Sequence, residues 1–157
     1  LIVFGLVGCQ TTKTTEAQST PAAPTDSEFE EGAVAPSKPG EEMAWVAGLG
    51  TVYFDYDRYD IRADAKPTLS ANADAILAND GGGTVTIEGH CDERGSEEYN
   101  LALGDRRAVG VKRYLVDLGV PASRLRTVSF GEAKPAVVGH DESAWRYNRR
   151  SEFKSSP

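Results

Sequence analysis

The chain has 157 residues, enough for one ordinary domain and too few for two comfortable ones. Its net charge of −7, from 17 Lys and Arg against 24 Asp and Glu, argues against a general nucleic-acid-binding face. With only two cysteines, Cys9 and Cys91, a disulfide-rich scaffold is excluded, and no continuous apolar run is long enough to span a membrane.

Leu1 to Gly8 is apolar and uncharged and runs directly into Cys9. The chain does not open on Met and no basic segment precedes the apolar run, so residues 1–8 are expected to be the end of a longer signal peptide. Leu6-Val7-Gly8-Cys9 resembles a bacterial lipobox. That resemblance implies that Cys9 becomes the mature N-terminus and carries lipid on its sulfur and its amine. Several acyl chains, each contributing about 0.8 kcal/mol per buried CH₂, make an effectively permanent anchor. Gln10 stands where an Asp would resemble an inner-membrane retention signal, which points to the outer membrane.

Residues 10–43 carry two basic and seven acidic side chains, a net −5 of the total −7, and Phe29 is their only aromatic. A segment of Thr, Ser, Ala, Pro and Glu cannot bury enough apolar surface to offset the entropy of ordering. Residues 9–43 are therefore expected to be a lipidated N-terminus followed by a disordered linker, and residues 44–157 the folded domain.

Within that domain, Leu49 to Phe54 reads as a strand and Asp55 to Asp60 as its polar exit. Pro67 suits the first turn of a helix whose core face is Leu69, Ala73, Ile76 and Leu77, stopped by Gly81-Gly82-Gly83. Thr84 to Glu88 alternates polar and apolar, as a half-buried strand does. Ser96 is a candidate N-cap, with Glu97 and Glu98 favourable in the first turn. Leu101, Gly104, Ala108, Val111, Leu115 and Leu118 recur at helical spacing until Gly119 and Pro121 end the pattern. Leu125 to Phe130 reads as a third strand, Ser143 to Asn148 as a short helix, and Ser151 to Lys154 as a last strand. The order β-α-β-α-β-(α)-β, one sheet covered by two helices, is an α+β sandwich of two layers.

The run Gly89 to Ala108, G-H-C-D-E-R-G-S-E-E-Y-N-L-A-L-G-D-R-R-A, leaves a strand and enters the long helix. It resembles the OmpA-like peptidoglycan-binding domain family. The likeness continues in Tyr53-Phe54-Asp55, Tyr59-Asp60-Ile61, Gly131-Glu132-Ala133-Lys134-Pro135, Gly139-His140-Asp141-Glu142 and Asn148-Arg149-Arg150. It covers roughly residues 52–153, and with the lipobox and linker it is strongest toward the lipoproteins of that family. The resemblance implies an OmpA-like fold with one mixed sheet. It also implies a noncovalent grip on the diaminopimelate side chain of the peptidoglycan stem peptide. Carried over residue by residue, the binding Asp falls on Asp92 and the binding Arg on Arg107. An ammonium and a carboxylate on one carbon would meet the Asp92 carboxylate and a forked Arg107 guanidinium, respectively. Asn100, two helical turns before Arg107, joins them as a candidate, and Gly95 would permit the tight loop between.

Other readings of these residues are plainer. Asp92 could cap its loop, and Arg107 could lie on a solvated helix face. Glu93, Arg94 and Arg106 read as solvent-facing or supporting charges, and Tyr99 as core. Gly104 stands where relatives often carry Ser, which is expected to loosen the helix by up to about 1 kcal/mol. His90, Cys91, Asp92 and Glu93 are adjacent, and adjacent strand residues point to opposite faces, so no metal site and no cofactor are expected. Cys91 reads as a small buried hydrophobe rather than a nucleophile, and a Cys9–Cys91 disulfide competes with lipidation of Cys9. No enzyme is expected.

The expectation is thus an outer-membrane lipoprotein, facing the periplasm, that tethers the membrane to the wall. The resemblance further implies partnership with the periplasmic β-propeller protein of the Tol system, and a part in envelope integrity and cell division. The alternatives are a lipoprotein of this fold outside the Tol system and a peptidoglycan hydrolase.

Overall fold

The structure, a computed structural model, describes residues 43–79 and 83–156. Cys9, the expected signal remnant 1–8 and all of the expected linker except Met43 lie outside the described residues. Met43 packs against the core.

A 3₁₀ turn at Ala44–Gly48 leads into β1 (Val52–Tyr53), and a second 3₁₀ turn at Ala63–Ala65 opens α1 (Lys66–Ala78), with Pro67 in its first turn. The chain continues through β2 (Thr84–His90), α2 (Glu97–Asp117), β3 (Leu125–Gly131), α3 (Glu142–Asn148) and β4 (Arg150–Ser156). The four strands form one sheet in the order β1-β4-β2-β3. β2 pairs parallel with β3 and antiparallel with β4, so the sheet is mixed, and α2 is the crossover between the parallel pair. This is the expected two-layer α+β order.

Several boundaries differ from the sequence pattern for identifiable reasons. The first strand is two residues long rather than six because Asn72 on α1 captures the chain just before it. The Asn72 side chain accepts from Gly50 N at 2.7 Å and donates to Gly50 O at 2.8 Å, which takes Gly50 out of the ladder. Leu77 is exposed, because the buried face of α1 is centred on Leu69, Ala73 and Ile76. On α2 the buried stripe runs through Asn100, Leu103, Gly104, Arg107, Ala108, Val111 and Leu115, leaving Leu101 and Leu118 largely exposed. Reading only apolar letters shifts the stripe, since two of its members are polar. The end of α1 is capped by Arg124, which donates to Gly83 O, Ile76 O and Asn79 O. Among the described residues no helix is long and apolar enough to cross a membrane.

Gly104 has a packing role rather than a loosening one. A Cβ on Gly89 of β2 would lie 1.9 Å from Gly104 O, and one on Gly104 would lie 2.4 Å from Ser129 Oγ. The two glycines let α2 approach the sheet at backbone distance, directly beside the end of β2. Gly89→Ala is therefore expected to lower unfolding free energy by at least about 2 kcal/mol, the scale of overpacking against a backbone that cannot yield. Gly48→Ala, at a position with open space around it, is the control and should change little. Urea unfolding of both variants checks this.

Candidate functional site

The site is built where β2 ends. Cys91 N donates to Gly131 O at 2.8 Å, and the β2–β3 register shifts between Gly89 and His90. That irregularity turns the chain off the sheet toward α2. Gly95 has φ +114°, a conformation that favours glycine, and Ser96 caps α2 by accepting from Tyr99 N at 3.2 Å. Asn100 fastens the loop from inside the helix, its Nδ2 donating to Asp92 O, Arg94 O and Glu132 Oε2.

Asp92 is buried and saturated with donors. Oδ1 accepts from Arg94 N and Arg94 Nε, both at 3.1 Å, while Oδ2 accepts from Arg94 Nη2 at 2.7 Å and Arg149 Nη1 at 3.3 Å. It therefore does cap its own loop, and it is also one half of a forked ion pair. Burial acts to raise its pKa, but the side-chain and backbone hydrogen bonds from Arg94 outweigh it and hold the carboxyl below the usual range. The Arg94 guanidinium lies over the Tyr56 ring at 3.9 Å and over the Trp145 ring at 4.0 Å. Arg149 completes the network, donating Nε–H to Phe54 O and pairing with Glu142.

Arg107 is wholly buried, not on a solvated face. It donates to Arg58 O at 2.8 Å, His90 O at 2.7 Å and Asp55 O at 3.2 Å, and contacts Cys91 Sγ at 3.4 Å. The forked grip expected of it is thus turned inward. Of five N–H groups, four meet these protein acceptors, and one on Nη2 meets none among the described residues. Burial pushes its pKa down, yet it remains a cation.

Asp92, Arg107 and Asn100 line one cavity of about 210 Å³, with Tyr56, Asp57, Arg94, Gly95 and Tyr99 among its other walls. Two carboxylates and two guanidiniums share that wall, so the space is charge-balanced and suits a zwitterionic group. Tyr99 is half-exposed rather than core, and its hydroxyl donates to Asp57. Cys91 is a buried free thiol that donates to Asn100 O.

The model of the OmpA family matches residues 53–149. The chain belongs to the OmpA family. It is 47% identical over 114 residues to the peptidoglycan-associated lipoprotein of Rhizobium meliloti, a match covering 72% of this chain and 64% of that protein. It is 54% identical over 101 residues to the peptidoglycan-associated lipoprotein of Haemophilus influenzae, covering 64% of this chain and 65% of that one. The chain thus spans a little under two thirds of the length of these curated relatives. The crystal structure of the peptidoglycan-associated lipoprotein from Burkholderia pseudomallei is similar at 38% identity and a TM-score of 0.66, over 71% of this chain and 93% of that one.

Arg94, read as a solvent-facing or supporting charge, does support Asp92, while sequence reasoning within this family pattern gave no role to Arg149, Tyr56 or Asp57. Arg149 stood in the quoted Asn-Arg-Arg run without a role, and no local pattern connects it to Asp92, 57 residues earlier. Asp57 had a usable signal only in three dimensions: its φ of +55° places a non-glycine residue in the left-handed region at the cavity wall.

Two outcomes follow from these environments. Asp92 has a lowered folded-state pKa, so its contribution to stability is present above the unfolded value of about 3.9 and is lost as pH falls through the folded value. Asp92→Asn should be clearly less stable than the parent at pH 7, and that gap should narrow below about pH 4; urea titrations across that range check it. For Cys91, burial pushes the thiol up to about 11. In a Cys9→Ser chain it should resist thiol reagents at pH 8 until the domain is unfolded.

Proposed function

We propose that this chain holds peptidoglycan noncovalently by seating the diaminopimelate terminus of a stem peptide in the cavity between the end of β2 and α2. The observation that carries this reading is the charge-balanced wall, in which Asp57 and Asp92 share a small cavity with Arg94 and Arg107. A group bearing an ammonium and a carboxylate on one carbon needs both signs within a few ångströms. The names of the relatives, which say that those proteins are peptidoglycan-associated, support peptidoglycan as the partner. The ammonium goes to Asp92, replacing Arg94 there, and the carboxylate goes to the released Arg94 and the remaining Nη2–H of Arg107. Cys9 carries the lipid that anchors the chain in the outer membrane, and residues 10–43 are the tether. The wall contact is a grip and not a cut. The periplasmic propeller protein of the Tol system is the expected protein partner, in envelope integrity and division.

The test is sedimentation of the full Cys9→Ser chain with purified sacculi. Diaminopimelate-type sacculi should be bound, and lysine-type or carboxyl-amidated sacculi at least about tenfold more weakly. A charge-assisted hydrogen bond is worth roughly 1.5–3 kcal/mol, and each 1.4 kcal/mol is a factor of ten. Asp92→Asn and Arg107→Lys should each weaken binding by a similar factor, and the double variant little further. Because Arg107 and Asp92 also hold the fold, Asp57→Asn on the cavity wall is the milder probe. Folded variants that sediment like the parent, on either type of sacculus, would remove the assignment.

A further inference from the structure

The sheet face opposite the core carries three convergent ligand groups outside the cavity. Ile87 and Phe153 are paired across β2 and β4 and face the core, so their neighbours Glu88 and Glu152, also paired, face the other way. His90 lies two residues beyond Glu88 and shares that face. One ligand atom from each of Glu88, His90 and Glu152 lies within 4.8 Å of the others.

His90 and Glu88 are poorly served as they stand, and Glu152 is held partly by an exposed lysine. His90 is 1% exposed, and neither ring nitrogen has a hydrogen-bond partner among the described residues. Its Nε2 is 3.5 Å from Glu88 Oε2, beyond good hydrogen-bond length. A buried polar group without a partner calls for an explanation, an unplaced ion being one. Glu88 and Glu152 are like charges directly opposite each other, an arrangement that destabilises a sheet. Arg150 holds one Glu152 oxygen at 2.6 Å, and among the described residues the other is reached by Lys154 at 3.1 Å, whose side chain is 55% exposed and free to withdraw. The His90 ring is oriented by stacking on Phe130, with centroids 5.6 Å apart. Burial foremost, with Arg150 nearby, pushes its pKa down to about 4.

We propose that Glu88, His90 and Glu152 form a binding site for a first-row divalent cation, zinc being the best suited. One imidazole and two carboxylates are donors zinc accepts at about 2.0–2.2 Å, with water in the fourth position. The cation satisfies the orphaned ring nitrogen, cancels the repulsion between the two glutamates and takes the place of the Lys154 ammonium. Both glutamates retain some exposure, 15% and 25%, so they can rotate the short distance needed to close on it. The sequence expectation of no metal site compared His90 with its neighbours 91–93. The convergent partners are instead two residues back on the same strand and across the sheet.

Calorimetric titration of zinc chloride into the full chain tests this, with Cys9→Ser in every sample so that its thiol cannot compete. One zinc per chain is expected. Glu88→Gln and Glu152→Gln should each weaken it by at least about tenfold, since loss of supporting groups alone weakens metal sites 10- to 100-fold. Lys154→Gln should tighten it, an effect that no fold damage would mimic. Nitrogen NMR of the His90 ring should show one nitrogen shifting on zinc addition. Absence of uptake, uptake untouched by both glutamate variants, or uptake abolished by His140→Ala overturns the site. Should a glutamate variant fail to fold, the Lys154→Gln affinity and the His90 ring spectrum decide.

Discussion

A guanidinium with no exposure to water must find its compensation inside the protein, and Arg107 finds it in backbone carbonyls rather than in a carboxylate. Asp55 and Arg58 belong to the loop between β1 and α1, and His90 ends β2. One side chain therefore holds two separate parts of the chain against α2. Because its hydrogen-bond partners are neutral, its charge is not cancelled where it is bound. The positive potential is felt in the cavity, where Asp57 and Asp92 also stand. Holding the fold and shaping the site are the same act here. That is why substitutions of Arg107 cannot be interpreted without a stability measurement.

Asp92 mirrors this arrangement with opposite sign. It is closed by Arg94 and Arg149, so the Asp92 carboxylate is not bare in this conformation. Under the proposed function, binding is an exchange of one ion pair for another. The net affinity is then the difference between a stem-peptide ammonium and Arg94 at the same oxygens. Contacts with the faces of the Tyr56 and Trp145 rings keep Arg94 at hand. The cavity is thus poised by competition among its own charges, and its selectivity depends on the second charge the ligand brings.

The order of elements was legible because each long segment carries a consistent local signal: Pro67 opening α1, Ser96 capping α2, Gly119 with φ +98° closing it. The errors share a cause. Asn100 and Arg107 belong to the buried stripe of α2 but read as polar, so the apolar period was drawn through Leu101 and Leu118 instead. The two-residue β1 could not be read either, since Asn72, 22 positions from Gly50, decides where it starts. At the site, the strand-to-helix run displayed Asp92, Asn100 and Arg107 together. Arg149, Tyr56 and Trp145 arrive from distant segments, and side-chain contacts of that range leave no periodic trace.

The position of β4 in the sheet bears on how the chain is made. Residues 150–156 lie between β1 and β2, so neither of those strands touches the other. As the polypeptide emerges from its N-terminus, the β2-α2-β3 unit can pair within itself at once. β1 cannot: its ladder partner among the described residues is about 100 residues downstream. Arg149, which ties Phe54 to Asp92, arrives with the same late segment. Synthesis from the N-terminus therefore delivers a half-sheet first. The cavity gains the support of Arg149 behind Asp92 only with this last segment, so a chain stalled before it would hold the parallel pair but leave β1 without its ladder partner among the described residues.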